Sequence, residues 1–422
     1  MIQREELKGF WYLPNHPENK IPGTLFFIPG DEIRLELIGG IEFGIEDLLK
    51  TRFLEVIHGI THENEKVTLF FCHGYGILNF SSSFPLMNYK CKYLIRGKHI
   101  ISVKDGVYDS ALVDMTSLYD WYPAARIHNE IYFSDHNKQQ KINLSLDDST
   151  YWEEVIKLDD NFTIKFFGVG DFNHSFDLKS FELKQNTLFE ILANNQKKSF
   201  FELLKKIEIF KQFLSLASLS TVQYLSITLY DSDDYQLSEK GNKIFNTSHL
   251  YFFQDKVDNA RPSRYQFLFT HEDIIEIIPD ILVKWYSIEQ DLSPIRNHLI
   301  ESIKTKKVFT SLDFLIIVQA LEGYHRRFID TNKRKLSVRI NELYKLFGDI
   351  QKIKNSPINI NHVVKSRDYY SHFFAKDSEV LDGIELFELT EQLRILLICS
   401  VLQLIGFNKE LISKIINKNE KL

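Results

Sequence analysis

The chain has 422 residues, 44% of them hydrophobic and 26% charged, and 51 Lys and Arg face 57 Asp and Glu for a net charge of −6. That is a globular composition with enough length for two or three domains, and it excludes a whole-chain electrostatic attraction to nucleic acid, so any such signal must be local. Three widely spaced cysteines, Cys72, Cys91 and Cys399, offer neither a disulfide framework nor a zinc spacing and point to a reducing cytoplasm.

The first residues, MIQREELKGFWYLP, are charged and lack the apolar core of a secretory leader. Short runs follow at intervals of eight to twelve residues: GTLFFI (23–28), IRLELI (33–38), VTLFF (67–71), YKCKYLI (89–95), HIISV (99–103), INLSL (142–146) and FTIKFFG (162–168). They are rich in β-branched and aromatic residues, several alternate apolar with polar, and Gly, Pro, Asn and Asp separate them. This pattern predicts an antiparallel sandwich or open barrel. THENE (61–65) reads as a polar hairpin tip.

From about residue 186 the apolar spacing becomes helical. NTLFEILANN and KSFFELLKKIEIFKQFLSLAS read as helix, and STVQYLSITLYD as a strand that closes the first domain. DSDDYQLSEKGNK (231–243) reads as a polar surface loop or hairpin tip. After about residue 258 five stretches have helical spacing: EDIIEIIPDILVKWYSIEQDL, SLDFLIIVQALEGYHRRFID, VRINELYKLFGDIQKI, the stretch around KSRDYYSHFF, and FELTEQLRILLICSVLQLIGF. Short connections predict a bundle. The longest apolar run, LRILLICSVLQLIGF, is too short to span a bilayer and carries Arg394 and Gln403, so it reads as a buried core helix. The expected architecture is α+β: a β-rich sandwich or barrel-like domain over 1–257 and an all-α helical bundle over 258–422.

Charge divides unevenly between these parts. Residues 258–422 contain 24 basic and 22 acidic residues, which leaves the first part near −8. Between Lys304 and Asp368 the count is 14 basic to 6 acidic, and HRRFIDTNKRK (325–335) is the densest part. Phosphate neutralisation would use such a segment, with Arg326, Arg327, Lys333, Arg334, Lys335 and Lys365 as its candidate RNA contacts; a solvated helix end and loop is the plain alternative.

The chain contains no P-loop, no GxGxxG after a strand, no HExxH, no GxSxG and no CxxC. Cys72 and His73 are adjacent on a strand and therefore point to opposite faces. Three Arg–His spacings remain: Arg52 to His58, Arg264 to His271, and Arg367 to His372. The first lies in an apolar run of the β-rich part. In the second, Thr270 is an N-cap with Asp273 behind it, which makes His271 a first-turn structural residue. The third follows the basic window and is flanked by VV and FF. On a helix its two side chains project about 140° apart with about 7.5 Å of rise, so they meet only if the arginine reaches around or if a second subunit completes the site.

Imidazole exchanges a proton near neutral pH, and guanidinium holds a phosphate and the charge that develops on it. His372 could take the ribose 2′-hydroxyl proton or protonate the leaving 5′-oxygen, with Arg367 on the scissile phosphate and Asp368 orienting either. Such a site cuts RNA without a metal or other cofactor and leaves 2′,3′-cyclic phosphate and 5′-hydroxyl ends. Tyr369 and Tyr370 are either core aromatics or stacking platforms for bases.

RDYYSH resembles the signature of the HEPN superfamily of helical nucleases: an arginine, often a polar residue, then histidine after four to six residues. SLDFLIIVQALEGYHRRF (311–328) followed by SRDYYSHFF is similar to the ApeA-like HEPN domains of bacterial anti-phage defence. LKGFWYLPNHPENKIPGTLFF, LELIGG and FLSLASLSTVQYLSITLY resemble the domain that accompanies them. The resemblance implies an abortive-infection endoribonuclease, toxic when active, with tRNA a plausible target. It implies catalytic segments at a homodimer or higher oligomer interface, and a β-rich domain that senses a phage-derived trigger or restrains the nuclease. Glu322 and His325 match the upstream helix, with Glu322 and Tyr370 as packing or supporting partners of the site and His325 undecided. The competing reading is a non-catalytic HEPN module that binds RNA or regulates a partner nuclease. Either way the protein is expected to be cytoplasmic, without a membrane partner.

Overall fold

The computed structural model describes residues 5–28, 32–41, 53–75, 86–123, 127–133, 140–146, 153–174, 181–238, 240–254, 264–304, 310–420 and 422. The chain begins with six antiparallel strands: β1 (Glu5–Tyr12), β2 (Ile21–Phe27), β3 (Ile33–Ile38), β4 (Phe53–Thr61), β5 (Lys66–Tyr75) and β6 (Leu86–Cys91). They run in the order β5-β4-β1-β2-β3-β6, and β6 pairs back onto β5, so the sheet closes into a barrel. Alternation explains the filling: Ile33, Leu35 and Leu37 of β3 turn inward beside Trp11, Leu25, Phe27 and Leu69. Trp11 lies opposite Gly59 in the β1–β4 register, and a Cβ at Gly59 would sit 2.3 Å from the Trp11 ring.

β7 (Tyr93–Arg96) continues β6 after Lys92. His73 faces Lys90 and Phe70 faces Tyr93, so β5 keeps one register along both halves. The first half closes the barrel against β3. The second half joins a further antiparallel sheet. The remaining elements of this part are β8 (Val107–Tyr108), β9 (Ser110–Met115), α1 (Leu118–Trp121), β10 (Ile127–Phe133), β11 (Gln140–Leu146), β12 (Glu153–Lys157), β13 (Phe162–His174), β14 (Phe181–Ala193), β15 (Lys198–Ser199), α2 (Phe200–Ser218), β16 (Tyr224–Leu237) and β17 (Lys243–Phe252). The sheet continues β12-β13-β14-β9-β16-β17-β7, and α2 packs on β9 and β14. Ser199 and Glu202 form a reciprocal capping box at the start of α2.

Three sequence expectations change here. HIISV (99–103) is not a strand: Ile100 donates its N–H to Thr68 Oγ1, and Ser102 to Asp105 is a turn. NTLFEILANN is not a helix. Leu188, Phe189, Ile191 and Leu192 satisfy helical spacing locally, but Thr187, Phe189 and Ile191 are the buried, alternating face of β14, which pairs with β13 from Phe181 to Ala193. Ladder pairing of that length overrides the local pattern. Most of 231–243 is also strand, with a register irregularity between Tyr230 and Tyr235 and the turn confined to residues after Leu237.

The helices are α3 (Ile278–Ser287), α4 (Glu289–Lys304), α5 (Ser311–Phe328), α6 (Leu336–Phe347), α7 (Gln351–Asn355), α8 (Ile360–His372), α9 (Gly383–Leu404) and α10 (Lys409–Lys418). The first expected stretch breaks into a 3-10 turn (Glu272–Ile274), α3 and α4, with Pro279 in the first turn of α3. The third breaks at Gly348. α9 contains the apolar run as far as Leu404 and is buried without interruption from Leu393 to Leu402, and no described helix is long and apolar enough to cross a membrane. The core runs unbroken from the sheet into the helices. Trp285 Nε1 donates to Ile209 O at 2.9 Å and Tyr286 Oη to Lys206 O at 2.9 Å. The division expected at 257/258 lies outside the described residues.

Candidate active site

α8 starts at Asn359, whose side chain accepts the Asn361 N–H at 2.9 Å, and stops at Phe373, which takes the left-handed conformation at φ 56°. Val363 and Ser366 face the core, so Arg367 and His372 are left toward solvent at the helix end. Arg367 Nη1 lies 2.9 Å from His372 Nε2 and 2.9 Å from Asp368 Oδ1, and its Nη2 lies 3.9 Å from Glu322 Oε2 on α5. The angular offset read from sequence is real but is spanned by the length of the arginine. His372, the last helical residue, swings its ring back to meet it.

Guanidinium only donates, so His372 Nε2 is the acceptor and carries the lone pair, with the proton on Nδ1. This is the form an imidazole needs to accept a proton at Nε2. The same guanidinium stands where a phosphate oxygen on that proton's path would be held. Phe374, 61% exposed, lies with its ring centre 5.8 Å from that of His372.

Glu322 bridges two cations, since Arg326 Nη2 is 3.7 Å from its other oxygen. It thus links the pair to the basic end of α5. Tyr370 makes no hydrogen bond to Arg367 or His372. Its hydroxyl donates to Leu381 O at 3.1 Å, and Ser366 Oγ accepts the Leu381 N–H at 3.0 Å. These bonds, with Lys365–Asp377 at 2.9 Å and His362–Glu379 at 3.0 Å, pin residues 373–382 along α8.

Of the candidate RNA contacts, Lys333 and Lys335 are exposed and have no partner among the described residues. The others are engaged: Arg326 with Glu322, Arg327 with Asp291 O, Arg334 with Asp330 at 2.6 Å, and Lys365 with Asp377. Exposed ion pairs of this kind are weak and exchange readily for a phosphate.

His325 is fully buried. Arg339 Nη1 donates to its Nδ1 at 2.9 Å, so its Nε2–H donates to Glu342 at 2.6 Å. Arg339, also fully buried, bonds Asp330 O at 3.0 Å and Asn332 O at 2.6 Å. The basic loop is therefore hung from a buried arginine that the charge count had treated as surface. Its place beside Ile340, and four residues before Leu343, is the signal that could have revealed it.

Both histidines of the other Arg–His spacings are buried in the fold, and the side chain of Arg264 lies outside the described residues. Arg52 lies outside the described residues, and His58 is buried, bonded to Ile100 O at 2.9 Å and stacked on His99. His271 is stacked on Tyr122 and bonded to Glu154 at 2.7 Å. Cys72 is buried and His73 exposed, on opposite faces of β5. No cluster of three or more potential metal ligands occurs among the described residues.

Against known families, residues 6–285 match ApeA N-terminal domain 1 and residues 315–411 match the Apea-like HEPN domain. The second match contains Glu322, His325, Arg367 and His372. No curated protein and no solved structure matches the chain.

Proposed function

This chain belongs to the ApeA-like HEPN family, and from that premise we propose that it is an anti-phage endoribonuclease whose catalytic pair is Arg367 and His372. HEPN domains are generally ribonucleases. The observation that carries the residue assignment is the 2.9 Å contact between Arg367 and His372, at a solvent-facing helix end inside the matched segment and linked through Glu322 to the basic end of α5.

In the proposed reaction a phosphate replaces His372 as a partner of Arg367. His372 Nε2 then accepts the proton of the ribose 2′-hydroxyl, the 2′-oxygen attacks phosphorus, and the 5′-oxygen leaves. The ends are a 2′,3′-cyclic phosphate and a 5′-hydroxyl, and no metal takes part. Asp368 and Glu322 hold Arg367 from its other side, and Lys333 and Lys335 contact the flanking backbone. A tRNA loop is the proposed substrate, and a second copy facing α8 would supply the group that protonates the leaving oxygen. The β-rich part, net acidic, is proposed to receive a phage-derived trigger rather than RNA.

The test is incubation of the purified protein with total RNA in EDTA beside a His372→Ala control, with the new ends mapped. Cyclic phosphate ends that vanish in the variant are expected. RNA left intact, or cut equally by both proteins, overturns the reading. RNA retention without cutting, strongly salt-dependent, would indicate the binding module instead.

A further inference from the structure

The chain leaves α8 through Phe373, which holds the left-handed backbone conformation at φ 56°. Glycine or asparagine usually closes a helix in this way, and a bulky side chain there is disfavoured. The Phe373 ring is 89% exposed, so burial offsets little of that cost. What the turn does is set the next ring, that of Phe374, beside His372, with the ring centres 5.8 Å apart and the planes 40° from parallel. Phe374 is itself 61% exposed, open to solvent at the helix end that carries the Arg367–His372 pair.

The turn is anchored. Ser366 Oγ accepts the Leu381 N–H, Tyr370 Oη donates to Leu381 O, and Lys365 pairs with Asp377, so the residues that follow Phe374 are tied back to α8. The two tyrosines of α8 are engaged with the fold instead. Tyr370 packs edge-on against Phe314 with ring centres 6.5 Å apart, Tyr369 lies edge-on to Tyr370 at 4.9 Å, and both are half-buried. Among the described residues it is Phe374 whose ring meets that of His372.

Single-stranded RNA is gripped largely by stacking of its splayed bases on aromatic side chains, and every base has a face that can stack. We propose that Phe374 is the stacking platform for a base that flanks the scissile phosphate, and that the enzyme thereby selects unpaired RNA. The inference rests on the reading of the protein as an RNA-cutting enzyme, and it adds a positioning residue to it. Arg367 supplies a cation for phosphate at the same helix end, so ring and guanidinium together fit a nucleotide rather than an apolar protein face. The 5.8 Å between the two rings is too narrow for a base to enter, since that needs two contacts of about 3.5 Å each, so the base lies on the face of Phe374 turned from His372. Held there, the base fixes the adjoining sugar and phosphate beside the pair. A base in a duplex is already stacked and paired with its own neighbours and does not reach the ring.

The test uses the full-length protein and 2′-fluoro RNA dodecamers, which lack the attacking hydroxyl and stay intact, with 2-aminopurine at a central position as the fluorescent base. Binding should quench it, as stacking does. Phe374→Ala and Phe374→Leu should each bind about tenfold more weakly and lose the quenching, whereas Phe374→Tyr, which keeps the ring, should match the wild type. The position is exposed, so all three should melt with the parent. The same strand in a duplex should bind more weakly, and equally to all four proteins. Wild-type affinity in Phe374→Leu, or a loss in Phe374→Tyr as large as in Phe374→Ala, overturns the platform. So does a change in the sedimentation of the RNA-free protein on Phe374→Ala, which would place the ring in a subunit interface. Quenching by a wild type that cuts no ordinary RNA leaves the platform standing and removes the nuclease assignment; cutting and binding untouched by Phe374→Ala do the reverse.

Discussion

Arg367 and His372 meet at 2.9 Å across five residues of one helix, at the point where Phe373 turns the chain out of α8. The contact needs no second subunit. It sets a guanidinium, a group able to hold phosphate, beside an imidazole nitrogen able to accept a proton, at a helix end toward solvent.

Replacing either member by alanine should lower RNA cleavage by about 10²-fold or more, the scale of losing a general base or an oxyanion donor. Arg367→Lys should recover little, because an ammonium lacks the fork that reaches phosphate and carboxylates together. Both alanine variants should melt with the wild type, since neither side chain is in the core. Growth arrest on expression is the simplest readout, and arrest that persists in both variants would remove the pair from the mechanism.

Lys333 and Lys335 should act through charge alone. Changing both to alanine should weaken RNA binding across sequences and reduce the slope of log affinity against log salt by about 0.7 per lost phosphate contact on single strands. A titration series in potassium chloride checks it; a change in base preference would point to direct readout.

The buried Arg339–His325 pair should behave as structure, not catalysis. Arg339→Met leaves His325 Nδ1 without its donor and frees the carbonyls of Asp330 and Asn332, and should cost about 3 kcal/mol in urea unfolding. An unchanged unfolding midpoint with lost cleavage would instead make His325 part of the chemistry.

The barrel should weaken in mild acid. Burial holds His58 and His99 below the ordinary histidine value of 6.5, so both are neutral in the fold while the unfolded chain takes up protons there. Their contribution is present above 6.5 and is lost as pH falls through the lowered folded values. Denaturant unfolding at pH 7.5 and 5.5 should show a drop that His99→Gln reduces. A drop of equal size in that variant would place the sensitivity elsewhere.

Gly59→Ala tests the barrel interior. The added methyl meets the Trp11 ring at 2.3 Å, and overpacking of that kind should cost about 1–3 kcal/mol. Trp11→Phe in the same chain should recover part of it if the clash is the cause.

Periodicity located about half of the described strands and the helices α2, α3, α5, α6, α8 and α9, because burial imposes it on each element separately, but it missed most of α4. Ile33, Leu35 and Leu37 alternate because one face of β3 looks into the barrel, and α9 is buried all round from Leu393 to Leu402 because other elements pack about it. Local spacing and structure part where pairing with distant residues outweighs it, as in β14 against β13, and where a polar run such as 231–237 is carried as strand by its neighbour.

By itself the sequence determined the class of the fold and the chemistry available at RDYYSH, since residue types and their spacing are local properties. It could not decide whether Arg367 reaches His372, that Arg339 is buried while Lys333 and Lys335 are not, or that the exposed ring of Phe374 stands beside His372. Those depend on where α5, α6, α8 and α9 pack against one another. Contact and burial are set by residues far apart in the chain, and only the folded arrangement brings them together.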